Sequence, residues 1–190
     1  MSFFVSLHYI SFIIILKAFI MNTPIYQFFT KDHHRIDGLL DKATEDMNNI
    51  KEEYYHQFRT GLLRHIKMEE KILFPAAQKA NGGAPLRLAP KLRLDHGALT
   101  ALMVVPPTPE VVKVLRAVLE VHDRIEEEVG GMYEACEKLT QNQTETLLEK
   151  LSATTEVPVH PHNQADYALE AAKRALDRAG FDYDELAKGA

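Results

Sequence analysis

A chain of 190 residues can hold one domain with a real core, or one domain plus an appendage. Charged residues make up 26% and hydrophobic residues 46%, as in ordinary soluble globular proteins, and a net charge of −5 without a Lys/Arg cluster argues against a nucleic-acid partner held by phosphate contacts. The single cysteine, Cys136, rules out an internal disulfide and a CxxC zinc site, and it fits a reducing, cytoplasmic compartment.

Residues 1–21 differ from the rest. Met1 to Ile20 is almost wholly apolar, with Phe12-Ile13-Ile14-Ile15-Leu16 at its centre and Lys17 as its only charge. Two readings stay open. The stretch is a signal anchor or short membrane span, giving a membrane-attached protein if residues 1–20 are retained. Alternatively Met21 is the true start, since Met21-Asn22-Thr23-Pro24 reads as an ordinary soluble N-terminus.

Thr23-Pro24 is a helix-start signal, with Thr as N-cap and Pro at the first helical position. From there Tyr26, Phe29, His33, Ile36, Leu40, Ala43 and Met47 recur at steps of three and four, the seam of an amphipathic helix. Asp46-Met47-Asn48-Asn49 breaks it. A second run puts Phe58, Leu62, His65, Met68, Glu69 and Ile72 on one face; Pro75 bends it or closes its regular part, and Asn81-Gly82-Gly83 stops it. After Pro85 and Pro90, a third run carries Leu92, His96, Leu99 and Met103. Pro106-Pro107-Thr108-Pro109 ends that run and starts a fourth, with Val112, Leu115, Val118, His122, Ile125, Glu126, Val129 and Tyr133 on its buried face and Gly130-Gly131 loosening it locally. Nothing reads as a strand. The expected fold is all-α, an antiparallel up-down-up-down four-helix bundle over residues 22–141. Residues 142–190 read as a C-terminal helical extension: a short helix over 144–151, a loop over 156–162, and an Ala-rich helix over 164–178 stopped by Gly180.

The chemistry lies in a repeated pattern. His65-x-x-x-Glu69-Glu70 returns as His122-x-x-x-Glu126-Glu127. Residues four apart share a helix face, so an imidazole and a carboxylate stand one turn apart. Two residues on adjacent antiparallel helices are level when the turn between them lies midway in sequence. The midpoint of His33 and His65 is residue 49, that of His65 and His96 falls between 80 and 81, and that of His96 and His122 is Pro109. All three fall on predicted turns, so the four histidines should occupy one layer. Glu69 and Glu126 then enter that layer from the same side, displaced by roughly 6 Å.

Buried carboxylates are expensive unless compensated. Four imidazoles and two carboxylates do not pair off neatly among themselves. A pair of divalent cations satisfies them, each taking two imidazoles with the carboxylates bridging, and bridging carboxylates in a helix bundle favour iron or manganese over zinc.

Four stretches resemble the hemerythrin-like, or HHE, cation-binding family over roughly residues 26–140: Asp32-His33-His34-Arg35-Ile36, His65-x-x-x-Glu69-Glu70 with Leu73-Phe74-Pro75, Asp95-His96-Gly97-Ala98-Leu99, and His122-x-x-x-Glu126-Glu127. The resemblance implies a non-haem diiron centre with an oxo or hydroxo bridge. His33, His65, His96 and His122 would be terminal ligands, and Glu69 and Glu126 would bridge. The implied role is binding or sensing of O2, NO, peroxide or iron itself. A diiron enzyme that turns over peroxide or NO or repairs iron centres, and a metal-free structural bundle, are the alternatives. The oxygen carriers of the family have a fifth histidine where this chain has Thr100, and their second acidic bridge is Asp at five residues rather than Glu at four. The four-His, two-Glu set is more similar to the iron-sensing and repair branches, although the cysteine-bearing N-terminal domain of the repair proteins has no counterpart here.

His33 is chosen over His34, which lies about 100° round the helix. Glu70 and Glu127 are off the seam and are expected to be solvated or bonded to a neighbour, while Asp123 could orient an imidazole. Tyr54, Tyr55 and Tyr133 read as core or rim residues and Cys136 as an inert buried thiol. His8, His56, His160 and His162 have no partner set, and no protein partner is implied.

Overall fold

The computed structural model describes residues 23–189, so the apolar leader and His8 lie outside the described residues. Every regular element among those residues is helical. None of these helices is long and apolar enough to cross a membrane.

Helix α1 runs Pro24–Ala43, with Pro24 in its first turn. Helix α2, Glu52–Met68, passes into a π-helical stretch, Glu69–Leu73, and then α3, Phe74–Ala80. Pro75 therefore does not close the run. It has no N–H to offer a carbonyl one turn back, and just ahead of it the Phe74 N–H reaches back five residues to the Glu69 carbonyl. Such π turns are frequent at functional sites, and this one begins on Glu69. Asn81 and two glycines at positive φ, Gly82 (68°) and Gly83 (86°), end α3.

Helix α4 spans Ala89–Leu102 and α5 spans Pro109–Glu127, where the Thr108 hydroxyl accepts from Val111 N–H as an N-cap. The fourth run departs from its sequence pattern. It stops at Glu127, Gly130 turns at φ 81°, and a new helix α6, Met132–Thr140, begins. Val129, expected on the buried face, falls in this turn and is 40% exposed. A Cβ on Gly131 would sit 2.6 Å from the Glu126 carbonyl oxygen and 2.8 Å from that of Ile125, so only glycine allows the turn to be this tight.

A 3-10 turn, Gln141–Gln143, leads into α7, Thr144–Ser152; α8 runs Asp166–Ala179 and α9 runs Tyr183–Lys188. Gly180, at φ 86°, caps α8. Ala168, Ala172 and Leu176 of α8 pack into the same apolar cluster as Leu99 and Leu102 of α4. The intervening loop is pinned to the second run and to the end of the third: Arg64 Nε donates to the Thr154 carbonyl (2.8 Å), Arg59 Nη2 to the His160 carbonyl (2.8 Å), and Asn163 N–H to the Val104 carbonyl (2.8 Å).

The apolar side chains form two clusters. One holds Ile36 to Ala43, Tyr55 to Leu62, Ala98 to Val105 and Val111 to Leu119. The other holds Ile25 to Phe29, Met68 to Ala77, Leu86 to Leu92 and Met132 to Cys136, joined by Leu147 and Leu151 of α7. In every run the residues between the two clusters include a buried histidine: His33, His65, His96 or His122. The buried polar layer is therefore sandwiched between two apolar ones.

Candidate metal centre

The six predicted residues converge. All are at most 6% exposed, and Glu69 and Glu126 are fully buried. His33 Nε2 lies 2.9 Å from His65 Nε2. Glu69 reaches two histidines, with Oε1 3.5 Å from His65 Nε2 and Oε2 3.1 Å from His96 Nε2. Glu126 Oε2 stands between the other two, 3.5 Å from His33 Nε2 and 3.4 Å from His122 Nε2. Two overlapping donor groups result: Glu69, His96, His122 and Glu126, and His33, His65 and Glu126, each with its ligand atoms within 4.8 Å of one another. Glu126 belongs to both.

On α1 it is His33 that enters the layer, while His34 is exposed. Glu70 and Glu127, expected to be solvated or bonded to a neighbour, bond to imidazoles, and Asp32 was not singled out from the sequence. Three imidazoles bond through Nδ1 to a carboxylate on another run: His33 to Glu127 (2.6 Å), His65 to Asp32 (3.1 Å) and His96 to Glu70 (2.9 Å). His122 Nδ1 faces Asp95 at 3.7 Å, beyond hydrogen-bond reach. Each of these acids adjoins a layer residue in sequence, Asp32 and Asp95 preceding His33 and His96, and Glu70 and Glu127 following Glu69 and Glu126. Each serves a histidine on the neighbouring run, so the four contacts close a ring. The sequence signal was the acid adjoining each candidate ligand. A carboxylate bonded at Nδ1 holds the ring so that Nε2 points inward, the orientation metal-ligating histidines require.

Tyr133 was also missed as a site residue. Its hydroxyl lies 2.8 Å from Glu69 Oε1 and 2.8 Å from Glu126 Oε2, with His33 Nε2 at 3.1 Å and His65 Nε2 at 3.4 Å. Seven residues of unbroken helix would set it about 10.5 Å beyond Glu126 along the axis. The Gly130-Gly131 turn brings it back. Its ring stacks on Phe29 at 4.9 Å and meets Tyr26 edge-on at 6.5 Å.

Protons compensate part of the charge in the metal-free cluster. Burial pushes the His65 imidazole down, but Glu69 and Asp32 outweigh it and leave it raised to about 10. A proton on both of its nitrogens accounts for the short contact to His33 Nε2. Burial also raises Glu69, yet His65 and His96 hold it well below the usual carboxylate range. Burial and the neighbouring Glu69 push Glu126 well above that range. Burial drives His122 down to about 4, so it is a neutral imidazole.

These protons do not satisfy everything. Glu69 Oε2, Glu126 Oε1 and His96 Nε2 are buried without a hydrogen-bond partner. Orphaned buried acceptors cost on the order of 1–3 kcal/mol each, and more when charged. Inward-facing nitrogen and carboxylate donors without any thiolate match a divalent transition metal of the iron, manganese or zinc type.

Two clefts approach the layer. One of about 980 Å3 is lined by Asp37, Asp41, Glu120, Asp123 and Glu127, with Arg116 and Arg124 among them. Asp123 Oδ1 is 3.8 Å from His33 Nε2. The other, about 680 Å3, is lined by Leu63, Ile66, Ala101 and Val157 and reaches His96. Thr100 is exposed and lines this second cleft. Among the described residues the remaining histidines stay apart from the layer, His162 meeting Glu52 at 3.2 Å on the surface of α2.

Residues 24–104 match the family model described as the hemerythrin HHE cation binding domain. That stretch includes His33, His65, Glu69 and His96, while His122, Glu126 and Tyr133 lie beyond it. No curated protein and no solved structure matches the chain.

Proposed function

We propose that the buried layer holds a pair of iron ions and that the protein uses them to bind or sense a small ligand: O2, NO, a peroxide or iron itself. One position would be held by His96 and His122, the other by His33 and His65, with Glu126 shared and Glu69 reaching across. The observation that carries this reading is the convergence of four Nε2 atoms and two carboxylates in an apolar interior, with acids standing behind the imidazoles at Nδ1. A hydrogen-bonded polar layer alone would pair its members, yet Glu126 Oε1 has no hydrogen-bond partner, and Glu69 Oε2 and His96 Nε2, 3.1 Å apart, make no well-formed bond. Two irons supply a redox-active, Lewis-acidic centre.

The same reading takes α1, α2 with α3, α4, and α5 as an antiparallel up-down-up-down bundle. The two apolar clusters support it, because successive runs meet them in alternating order along the sequence. We further propose that residues 22–141 form the metal-binding unit, that residues 142–190 brace it, and that the protein works in the cytoplasm, where its single thiol stays reduced. The chain's own residues would restrict access: the candidate ligands are at most 6% exposed, so only a small molecule arriving through a cleft can reach them.

The test is metal analysis of the protein from cells grown with iron, together with its visible spectrum. About two irons per chain are expected. An iron-free protein whose stability is unchanged by added iron overturns the reading. Steady-state assay with hydrogen peroxide or NO separates a binder, which saturates, from an enzyme, which turns over.

A further inference from the structure

We infer that Tyr133 is itself a metal ligand, supplying through its phenolic oxygen the fourth donor of the position formed by His33, His65 and Glu126. The inference rests on the diiron reading above.

The two donor groups are unequal. One has four protein donors, Glu69, His96, His122 and Glu126; the other has three, His33, His65 and Glu126. Tyr133 Oη stands within 3.4 Å of every member of the smaller group: 2.8 Å from Glu126 Oε2, 3.1 Å from His33 Nε2 and 3.4 Å from His65 Nε2. Adding it makes both groups four-donor sets.

A buried tyrosine hydroxyl ordinarily finds one hydrogen-bond partner. This one faces four polar atoms, counting Glu69 Oε1 at 2.8 Å. Its single proton serves one of them. The other three can sit this close to the phenolic oxygen in an apolar interior only with protons or a cation among them. Packing to hold a ring here would not require the hydroxyl to point into the layer. The chain nonetheless breaks at Gly130-Gly131 to deliver it, and Phe29 and Tyr26 clamp the ring so that the oxygen has one position. On loading, the bond to hydrogen is exchanged for one to the metal and the proton passes to water, as for any protic ligand.

The experiment compares the full-length protein with Tyr133→Phe, Tyr133→His and Tyr26→Phe after loading with iron and oxidation to the ferric state. Resonance Raman spectra excited in the visible band report tyrosinate ring vibrations only when a phenolate oxygen is bonded to iron. The wild type and Tyr26→Phe should show them, and Tyr133→Phe and Tyr133→His should not. Tyr133→His, which restores a donor, should retain iron at least tenfold longer against a chelator than Tyr133→Phe. Circular dichroism of the metal-free variants checks folding, and if Tyr133→Phe does not fold, the wild type and Tyr133→His decide. Iron-loaded wild type without tyrosinate vibrations, or vibrations that survive Tyr133→His, overturns the inference and leaves the diiron reading intact. Failure of the wild type to take up iron sinks both.

Discussion

His33 Nδ1 stands 2.6 Å from Glu127 Oε1, and this contact closes the ring of acids around the layer by tying the end of α5 back to α1. The other three contacts link α1 to α2, the π-helical stretch to α4, and α4 to α5. Removing any one acid should let its imidazole rotate without unfolding the chain. Glu127→Ala is expected to weaken iron binding by about 10–100-fold, the usual effect of losing a partner that orients a ligand, with Glu127→Gln milder because its amide oxygen still accepts from Nδ1. Chelator competition measures this; equal affinities for Glu127→Ala and wild type would show that the contact orients nothing.

His65→Ala and Glu69→Ala should each lose most of the bound iron, whereas His34→Ala should retain it. His65 and Glu69 are buried in the layer and His34 is exposed on α1. Iron counts per chain on the three purified variants are the measurement, and a His34→Ala protein that emerges empty would mean that α1 sits in a different frame.

Iron affinity should rise with pH. In the metal-free protein His65 is raised to about 10, so at neutral pH it carries a proton that must leave before Nε2 can bind a metal. The competition with protons persists up to that pKa, and the logarithm of the affinity should climb by about one or more per pH unit between pH 7 and 9. A pH indicator should register proton release when ferrous iron is added to weakly buffered protein. A flat profile over that range would mean that His65 is neutral before loading.

Gly131→Ala places a methyl group 2.6 Å from the Glu126 carbonyl oxygen. That oxygen is backbone and cannot step aside cheaply, so the turn must open. The expected loss of stability is about 1–3 kcal/mol, typical of overpacking, seen as a lower denaturant midpoint. Because the turn carries Tyr133, iron retention should fall as well. Gly38→Ala, whose Cβ meets nothing within 4 Å, is the control and should leave both unchanged.

Leu176→Ala on α8 tests how far the C-terminal helices belong to the core. Leu176 is fully buried in one cluster with Leu99 and Leu102. Its truncation should cost about 2–5 kcal/mol in chemical denaturation. A cost below about 0.5 kcal/mol, the range of ordinary surface changes, would show that α8 rests on the bundle without supporting it.

The six layer residues were legible because helical periodicity and turn chemistry are local. His33, His65, His96 and His122 each fall on an apolar seam, and their midpoints fall on Asn49, between Ala80 and Asn81, and on Pro109. Asp32, Glu70, Asp95 and Glu127 were harder. A residue adjoining a seam position lies about 100° round the helix, where sequence alone reads solvent. It becomes a partner only because the neighbouring run presents an Nδ1 there. Val129 was misplaced for a related reason: the apolar pattern continues across Gly130-Gly131, and periodicity cannot register a change of direction.

By itself the sequence determined the helical class, the seams that bury His33, His65, Glu69, His96, His122 and Glu126, and the stops between runs, since each depends on residues within a turn or two of one another. Only the tertiary structure decided that His33, His65 and His96 each bond a carboxylate through Nδ1, that Glu126 is common to both donor groups, and that Tyr133 faces the layer. Those contacts join residues up to 100 positions apart, as between His33 and Tyr133. They depend on how the runs pack and turn, which no local pattern encodes.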